Sequence, residues 1–223
     1  GAADGAAYRA WAGLPDALRG GPRASMFDAM TAEETVDFAE AMAGVTAPAH
    51  AAVAELVVEG ERVCDLGGAD GRLAVTLARA GARVTTLDRP AFAPLAGRVV
   101  AASGVADRIT VVSGDFFADA LPASDTAVLS LVLLDWDTEA KRRLLRRVAA
   151  STGRIIVVDR LAAPERPTAA FELLRSLHLL VTVGDAHHYT ADQLSGWLAE
   201  VGFRAAAPRA ATGGFTVVEA RPE

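Results

Sequence analysis

The pattern of apolar and polar residues changes character near residue 60. Before it the chain reads as helix, interrupted at Gly13-Leu-Pro15, Gly20-Gly-Pro22 and Ala47-Pro48. Thr31-Ala-Glu-Glu34 has the form of a capping box, which predicts a helix from about Ala32 to Ala43. A second helix is expected from about Ala47 to Val58. Residues 1–59 are too few to enclose a core, so they are expected to form a helical collar or lid on a main domain spanning 60–223. After residue 60 short apolar runs alternate with helical stretches. Strands are expected at Val63–Leu66, Arg83–Asp88, Ile109–Ser113, Thr126–Leu134 and Arg154–Asp159. Helices are expected at Leu73–Ala80, Ala93–Ser103, from the cap Asp137 to about Ala150, and from about Thr168 to Val181. Such alternation predicts a mostly parallel sheet covered on both faces. A second capping box, Thr190-Ala-Asp-Gln193, precedes the stripe Leu194, Trp197, Leu198 and Val201. Two strand-like runs follow, Phe203–Arg209 and Phe215–Ala220, joined through Gly213-Gly214 without a helix. A hairpin there makes the last strand antiparallel, an ending foreign to the nucleotide dehydrogenase fold.

The candidate chemistry sits at the strand ends, where doubly wound sheets bind ligands. The first strand runs into Asp65-Leu-Gly-Gly-Ala-Asp-Gly71, in which Gly67, Gly68 and Gly71 let the backbone approach a ligand closely. A dinucleotide fingerprint would place a further glycine where Ala74 stands. A glycine turn can also serve tight packing alone. Asp65, directly before the glycines, suits a ligand with an ammonium; a pyrophosphate has none, whereas S-adenosylmethionine (SAM) does. Asp88 closes the second strand and can accept from both hydroxyls of a ribose, or can simply form the turn before Arg89-Pro90. After the third strand, Asp115 can accept from an adenine amino group while Phe116 packs on the ring.

Composition narrows the partners. The 223 residues carry a net charge of −6, with basic residues dispersed, which argues against nucleic acid. The densest basic patch, Lys141-Arg-Arg with Arg146-Arg147, is expected on the solvated face of its helix. Cys64 is the single cysteine, as expected in a reducing cytoplasm. No apolar run approaches the roughly 18 residues of a membrane span, and the N-terminus lacks signal-peptide order. A soluble cytoplasmic protein is therefore expected.

Four segments together resemble a known family: Val63–Gly71, Thr86-Leu-Asp-Arg-Pro90, Arg108–Phe117 and Leu133-Leu-Asp-Trp-Asp137. They are similar to the SAM-dependent small-molecule O-methyltransferases, the plant caffeate type and the bacterial enzymes that decorate polyketides and other antibiotics. The likeness runs from about Trp11 to the C-terminus and includes Gly214-Phe-Thr-Val-Val-Glu-Ala220. It implies a Rossmann-like class I methyltransferase fold, a seven-stranded mostly parallel sheet with an antiparallel last strand, behind the helical collar. It also implies that Asp65, Gly67, Gly68, Gly71, Asp88, Asp115, Phe116, Ser130 and Thr46 contact SAM. Phe38, Met42, Leu134 and His187 would face the acceptor.

Three departures stand out. The winged-helix dimerisation domain that precedes the collar in relatives is not in this chain, so the usual swapped dimer is not implied unless a separate polypeptide supplies that part; a homodimer or such a partner chain is the expectation. The family's third glycine in the turn is Ala69. The family's general base, a His before the Asp-Trp pair, is Leu134. A phenol of pKa about 10 must lose its proton to attack a methyl group, and leucine cannot take it. The resemblance then points to His188, standing where relatives have a carboxylate, and to Asp159, matching a carboxylate that orients the base. His187-His188 can equally be a solvated pair, and two adjacent histidines without a third ligand make a poor metal site. His50 and His178 are expected to serve packing. The expected function is SAM-dependent methyl transfer to a small, natural-product-like hydroxyl or other nucleophile. The alternatives are a repurposed fold that binds SAM while running a hydroxylation, decarboxylation or pericyclic step, or a subunit that requires a partner chain.

Overall fold

The computed structural model describes residues 2–20, 25–162, 170–184 and 188–223. It opens with a helical collar, α1 (Ala2–Trp11), α2 (Leu14–Leu18), α3 (Met26–Ala29) and α4 (Ala32–Ala54). The alternating part follows: β1 (Arg62–Leu66), α5 (Arg72–Arg79), β2 (Arg83–Asp88), α6 (Ala93–Ala101), β3 (Ile109–Ser113) and β4 (Thr126–Ser130). Then come α7 (Thr138–Ala149), β5 (Ile155–Asp159), α8 (Ala170–Thr182) and α9 (Ala191–Ala199). The chain ends with β6 (Phe203–Ala205), β7 (Arg209–Ala211) and β8 (Phe215–Pro222).

The strands form one sheet in the order β3-β2-β1-β4-β5-β8-β6, with β7 pairing β8 outside that path. The first five strands are parallel and β8 runs antiparallel to β5, with Val157 opposite Val218. Alternation along β5 divides the core between two faces, as side chains on a strand must. Ile155 and Val157 pack with Leu144, Leu145, Leu194 and Leu198 of α7 and α9. Ile156 and Val158 pack with Ala49, Val53, Leu73 and Leu77 of α4 and α5. Both capping boxes form, Thr31 with Glu34 and Thr190 with Gln193, and the Asp137 side chain caps α7 by accepting from the Ala140 N–H at 2.7 Å.

Four expectations are corrected. The two helices predicted on either side of Pro48 are one helix, α4, with Pro48 inside it. An interior proline costs about 3 kcal/mol; burial of Ala49, Ala52 and Val53 beneath the sheet offsets it. β4 stops at Ser130 rather than Leu134, because Leu131 turns left-handed (φ 58°) and Leu133–Asp135 forms one turn of 3-10 helix. The run Phe203–Arg209 divides into β6 and β7 on either side of a stretch containing Pro208, which has no N–H for a ladder. Among the described residues the sheet thus has eight strands, not seven.

The basic patch on α7 is the fourth. Lys141 is fully buried: its Nζ donates to the Trp136 carbonyl at 2.5 Å and lies 5.2 Å from the Tyr189 ring centre. Burial lowers its pKa to about 8. Arg143 covers the Phe117 ring at 4.4 Å, and Arg147 donates to the carbonyls of Phe116 and Asp119. Arg143 and Arg147 thus hold the loop after β3 and Lys141 turns inward, while Arg146 stays on the exposed face as expected. Among the described residues no helix is long and apolar enough to cross a membrane.

The lower end of the sheet is tied by Arg154, whose side chain is 7% exposed. It donates to Thr126 Oγ1 at 2.7 Å and to the Leu56 carbonyl at 3.0 Å, and pairs with Glu61 at 3.1 Å. Removing one partner of a buried pair leaves the other charge uncompensated, which costs about 3–5 kcal/mol. Arg154→Met should therefore lower unfolding stability in urea by that amount, and Arg62→Ala, which breaks the exposed pair with Asp125, should cost less. Equal losses would contradict the assignment.

Candidate functional site

Parallel strands end together, so the loops after β1, β2, β3 and β4 converge on one side of the sheet, where α4 covers them. Between them lies a cavity of about 750 Å³, within the range of small-molecule sites.

The turn after β1 forms its floor. Gly67 has φ 72°, and a Cβ there would stand 2.6 Å from Val132 Cγ2. A Cβ on Gly68 would collide with Thr86 Oγ1 and Asp65 Oδ2. Asp65 is fully buried at the cavity's edge and accepts from Thr86 Oγ1 at 3.1 Å. Gly71 does not line the cavity: its φ of 78° turns the chain into α5, and a Cβ there would face Ala96 and Val100. Asp88 lines the cavity and braces the turn, accepting from the Ala69 N–H at 2.7 Å and the Arg89 N–H at 2.6 Å. Ala69 (φ 45°) and Leu131 (φ 58°) are non-glycine residues in the left-handed region, and both line the cavity. That conformation costs roughly 1–2 kcal/mol per residue, the kind of strain that concentrates at functional sites.

Asp115 and Phe116 line the wall after β3. Asp115 accepts from the Phe117 N–H at 2.7 Å, and Phe116 packs edge-on against Phe117 and Trp136. Ser130 lies at the tip of β4, and Phe38, Met42 and Thr46 look in from α4. Thr46 is anchored by its hydroxyl donating to the Met42 carbonyl at 3.0 Å.

The residues expected to carry proton transfer are not brought to the cavity. Leu134 lies outside its lining. Asp159 is fully buried and accepts from Tyr189 Oη at 2.8 Å and the Arg160 N–H at 2.8 Å. Burial raises its pKa to about 6. It acts on main chain rather than on an imidazole. His188 also lies off the lining, with Nδ1 3.4 Å from the Arg175 guanidinium. Burial, then Arg175 and Lys141, push its pKa down to about 4, which makes it a poor base at neutral pH. His187 lies outside the described residues.

Several cavity residues were missed. Asp135 directly follows Leu134 and lines the cavity; its place inside the quoted Leu-Asp-Trp segment was the available signal. His50 faces the cavity from α4, with its pKa lowered to about 4 by burial and Arg72. Phe27 and Asp28 form a rim with Arg89, which pairs with Asp28 at 2.8 Å and lies 5.5 Å from the Phe27 ring centre. No sequence pattern marked that pairing, which joins distant segments.

The cavity is rich in carboxylates removed from water. Burial raises Asp65 to about 7 and Asp135 to about 8, the latter helped by the charge of Asp159, and also raises Asp70 and Asp88. Each would be relieved by a cation. Among the described residues no group of His, Cys, Asp and Glu is arranged to hold a metal ion.

The sequence profile of the O-methyltransferase domain matches residues 22–204. A phenazine O-methyltransferase of Lysobacter antibioticus is 34% identical over 235 residues, covering 96% of this chain and 67% of that protein. The crystal structure titled LaPhzM superposes with a TM-score of 0.85 at 32% identity, covering 98% of this chain and 70% of the other. An O-methyltransferase of neocarzinostatin biosynthesis, solved with SAM and 2-hydroxy-5-methyl naphthoic acid, superposes with a TM-score of 0.84. At 24% identity, over 99% of this chain and 70% of that one, it shows likeness of fold. The chain spans less than half the length of other curated relatives, including a tetracenomycin 8-O-methyl transferase of Streptomyces glaucescens (48%).

Two results should follow from the geometry. Gly68→Ala should destabilise the protein by about 1–3 kcal/mol through overpacking, while Gly97→Ala, on α6 with open space around it, should be neutral or stabilising; thermal unfolding distinguishes the two signs. The carboxyls raised by folding bind protons more tightly in the native than in the unfolded state. Their contribution to stability is complete below about pH 4 and is lost as pH rises through about 7 and 8. Folding lowers the pKa of His50 and His188, which add stability as pH rises to about 6.5, and of Lys141, which does so above about 8. The ligand-free protein should therefore lose stability in denaturant titrations between about pH 6.5 and 8, and a steady rise there would contradict this.

Proposed function

The chain belongs to the O-methyltransferase domain family, and from that footing we propose that its cavity holds SAM and that the protein methylates a hydroxyl on a small natural-product molecule. The observation that carries the reading is the set of buried carboxylates around a glycine-floored cavity. SAM brings a sulfonium and an ammonium, and both compensate buried negative charge. The residues fit the group. Gly67 and Gly68 leave a surface that any Cβ would disturb, and Asp65 suits the ammonium. Asp88 keeps acceptor capacity for ribose hydroxyls beyond its two backbone bonds. Asp115 and Phe116 suit the adenine edge and face, and Phe38, Met42, Thr46 and Ser130 enclose the rest. Bound SAM supplies an electrophilic methyl group; the protein's part is to align the acceptor with it and exclude water.

Two further points belong to the same proposal. Tyr8, Leu18, Leu173 and Leu174 are large apolar side chains left exposed on α1, α2 and α8, which supports a partner surface for a second copy or a separate chain. The free, buried Cys64 fits a reducing compartment such as the cytoplasm.

Calorimetric titration tests the reading. SAM should bind, and its affinity should rise with pH through about 7 to 8, because protons on Asp65 and Asp135 compete with the cation. Incubation with SAM and a hydroxyphenazine or hydroxynaphthoate should release S-adenosylhomocysteine (SAH). No binding of SAM or SAH at any pH would refute the proposal.

A further inference from the structure

We propose that Asp135 takes the proton from the acceptor's hydroxyl, replacing the imidazole that Leu134 removes. This rests on reading the cavity as a methyl-transfer site and adds the identity of the proton acceptor.

Asp65 accepts from Thr86, and Asp70 from the Arg72 N–H with an ion pair to the same side chain at 3.0 Å. Asp88 braces the glycine turn and Asp115 accepts from the Phe117 N–H. Asp137 caps α7, and Asp28 pairs with Arg89. Among the described residues, Asp135 alone of the cavity's carboxylates accepts no hydrogen bond and joins no ion pair. Its backbone is nevertheless fixed. The Asp135 N–H donates to the Val132 carbonyl at 3.2 Å, inside one turn of 3-10 helix over Leu133–Asp135. His50 is the rival on the cavity wall, but with a pKa of about 4 it cannot retain a phenol's proton.

The environment also suits the task. The charged groups acting on Asp135 come from three elements: Lys141 of α7, Asp159 at the end of β5, and Asp88 with Arg89 at the end of β2. Burial and the two acids outweigh the two cations and raise Asp135 to about 8. In the ligand-free protein the gap to a phenol of pKa about 10 is about 2 units, where an ordinary carboxylate would face about 6; the charge of bound SAM widens the gap, and its loss on methyl transfer narrows it again. A positive charge in the cavity favours the ionised carboxylate, and loss of that charge favours the protonated one. In the transfer, the hydroxyl proton passes to an Asp135 oxygen and the hydroxyl oxygen's electron pair forms the new C–O bond. The C–S bond breaks and its electron pair stays on sulfur as a neutral thioether.

The test uses Asp135→Asn and Asp135→Glu, with thermal melts confirming folding. Protons released on SAM binding at pH 8 are measured by calorimetry in phosphate and in Tris. The wild type should release more protons with SAM than with SAH, which lacks the sulfonium charge. D135N should lose at least half of that release while binding SAM within about 10-fold of the wild type. With a hydroxyphenazine as acceptor, D135N should reduce kcat by at least ~10²-fold, raise the KM for SAM by no more than about 10-fold and abolish the rising limb of the pH–rate profile; D135E should restore part of the rate. Proton release and kcat in D135N equal to the wild type would overturn the role of Asp135. A wild type that binds neither SAM nor SAH would instead refute the methyl-transfer reading itself.

Discussion

Carboxylates withdrawn from water at the ends of adjacent parallel strands govern this molecule. Asp65 is the penultimate residue of β1, Asp88 ends β2, and Asp135 sits on the turn just past β4. A doubly wound sheet gathers those ends into one place, and α4 then shuts them away from solvent. Burial disfavours the charged form of each, and a bound cation would favour it again. Folding and ligand preference are therefore joined in the same groups.

The rest of the fold keeps those groups in position. Asp159, buried at the end of β5, accepts from Tyr189 Oη and acts on Asp135 through its charge. Lys141, inside the protein rather than on its surface, closes the same region from α7. Left-handed backbone at Ala69 and Leu131 turns the chain abruptly out of the sheet on two sides of the cavity. A leucine tolerates that conformation only where its surroundings leave no other path.

Much of this was legible along the chain because its causes are local. A capping box needs residues three apart, and a glycine turn after an apolar run needs no distant partner to be recognised. The strand-end acids Asp65, Asp88 and Asp115 were legible for the same reason, and all three face the cavity. What escaped depended on contacts between distant segments. Pro48 stays in a helix because of what its neighbours bury, and Lys141 is inside because Trp136 and Tyr189 receive it. His188 reads as a cleft residue by its place in the chain, yet Arg175 on α8 holds it aside. Asp135 stands beside the leucine that replaces the histidine, and its lack of hydrogen-bond and ion-pair partners among the described residues exists only in three dimensions.

The most direct measurement is titration of the carboxyl carbons by NMR, in protein labelled at aspartate and compared with D65N and D135N, free and with SAM. The account predicts midpoints near 7 and 8 for Asp65 and Asp135 in the free protein, both moving down once SAM is bound. Ordinary midpoints near 4 in the free protein, or midpoints that SAM leaves in place, would contradict it.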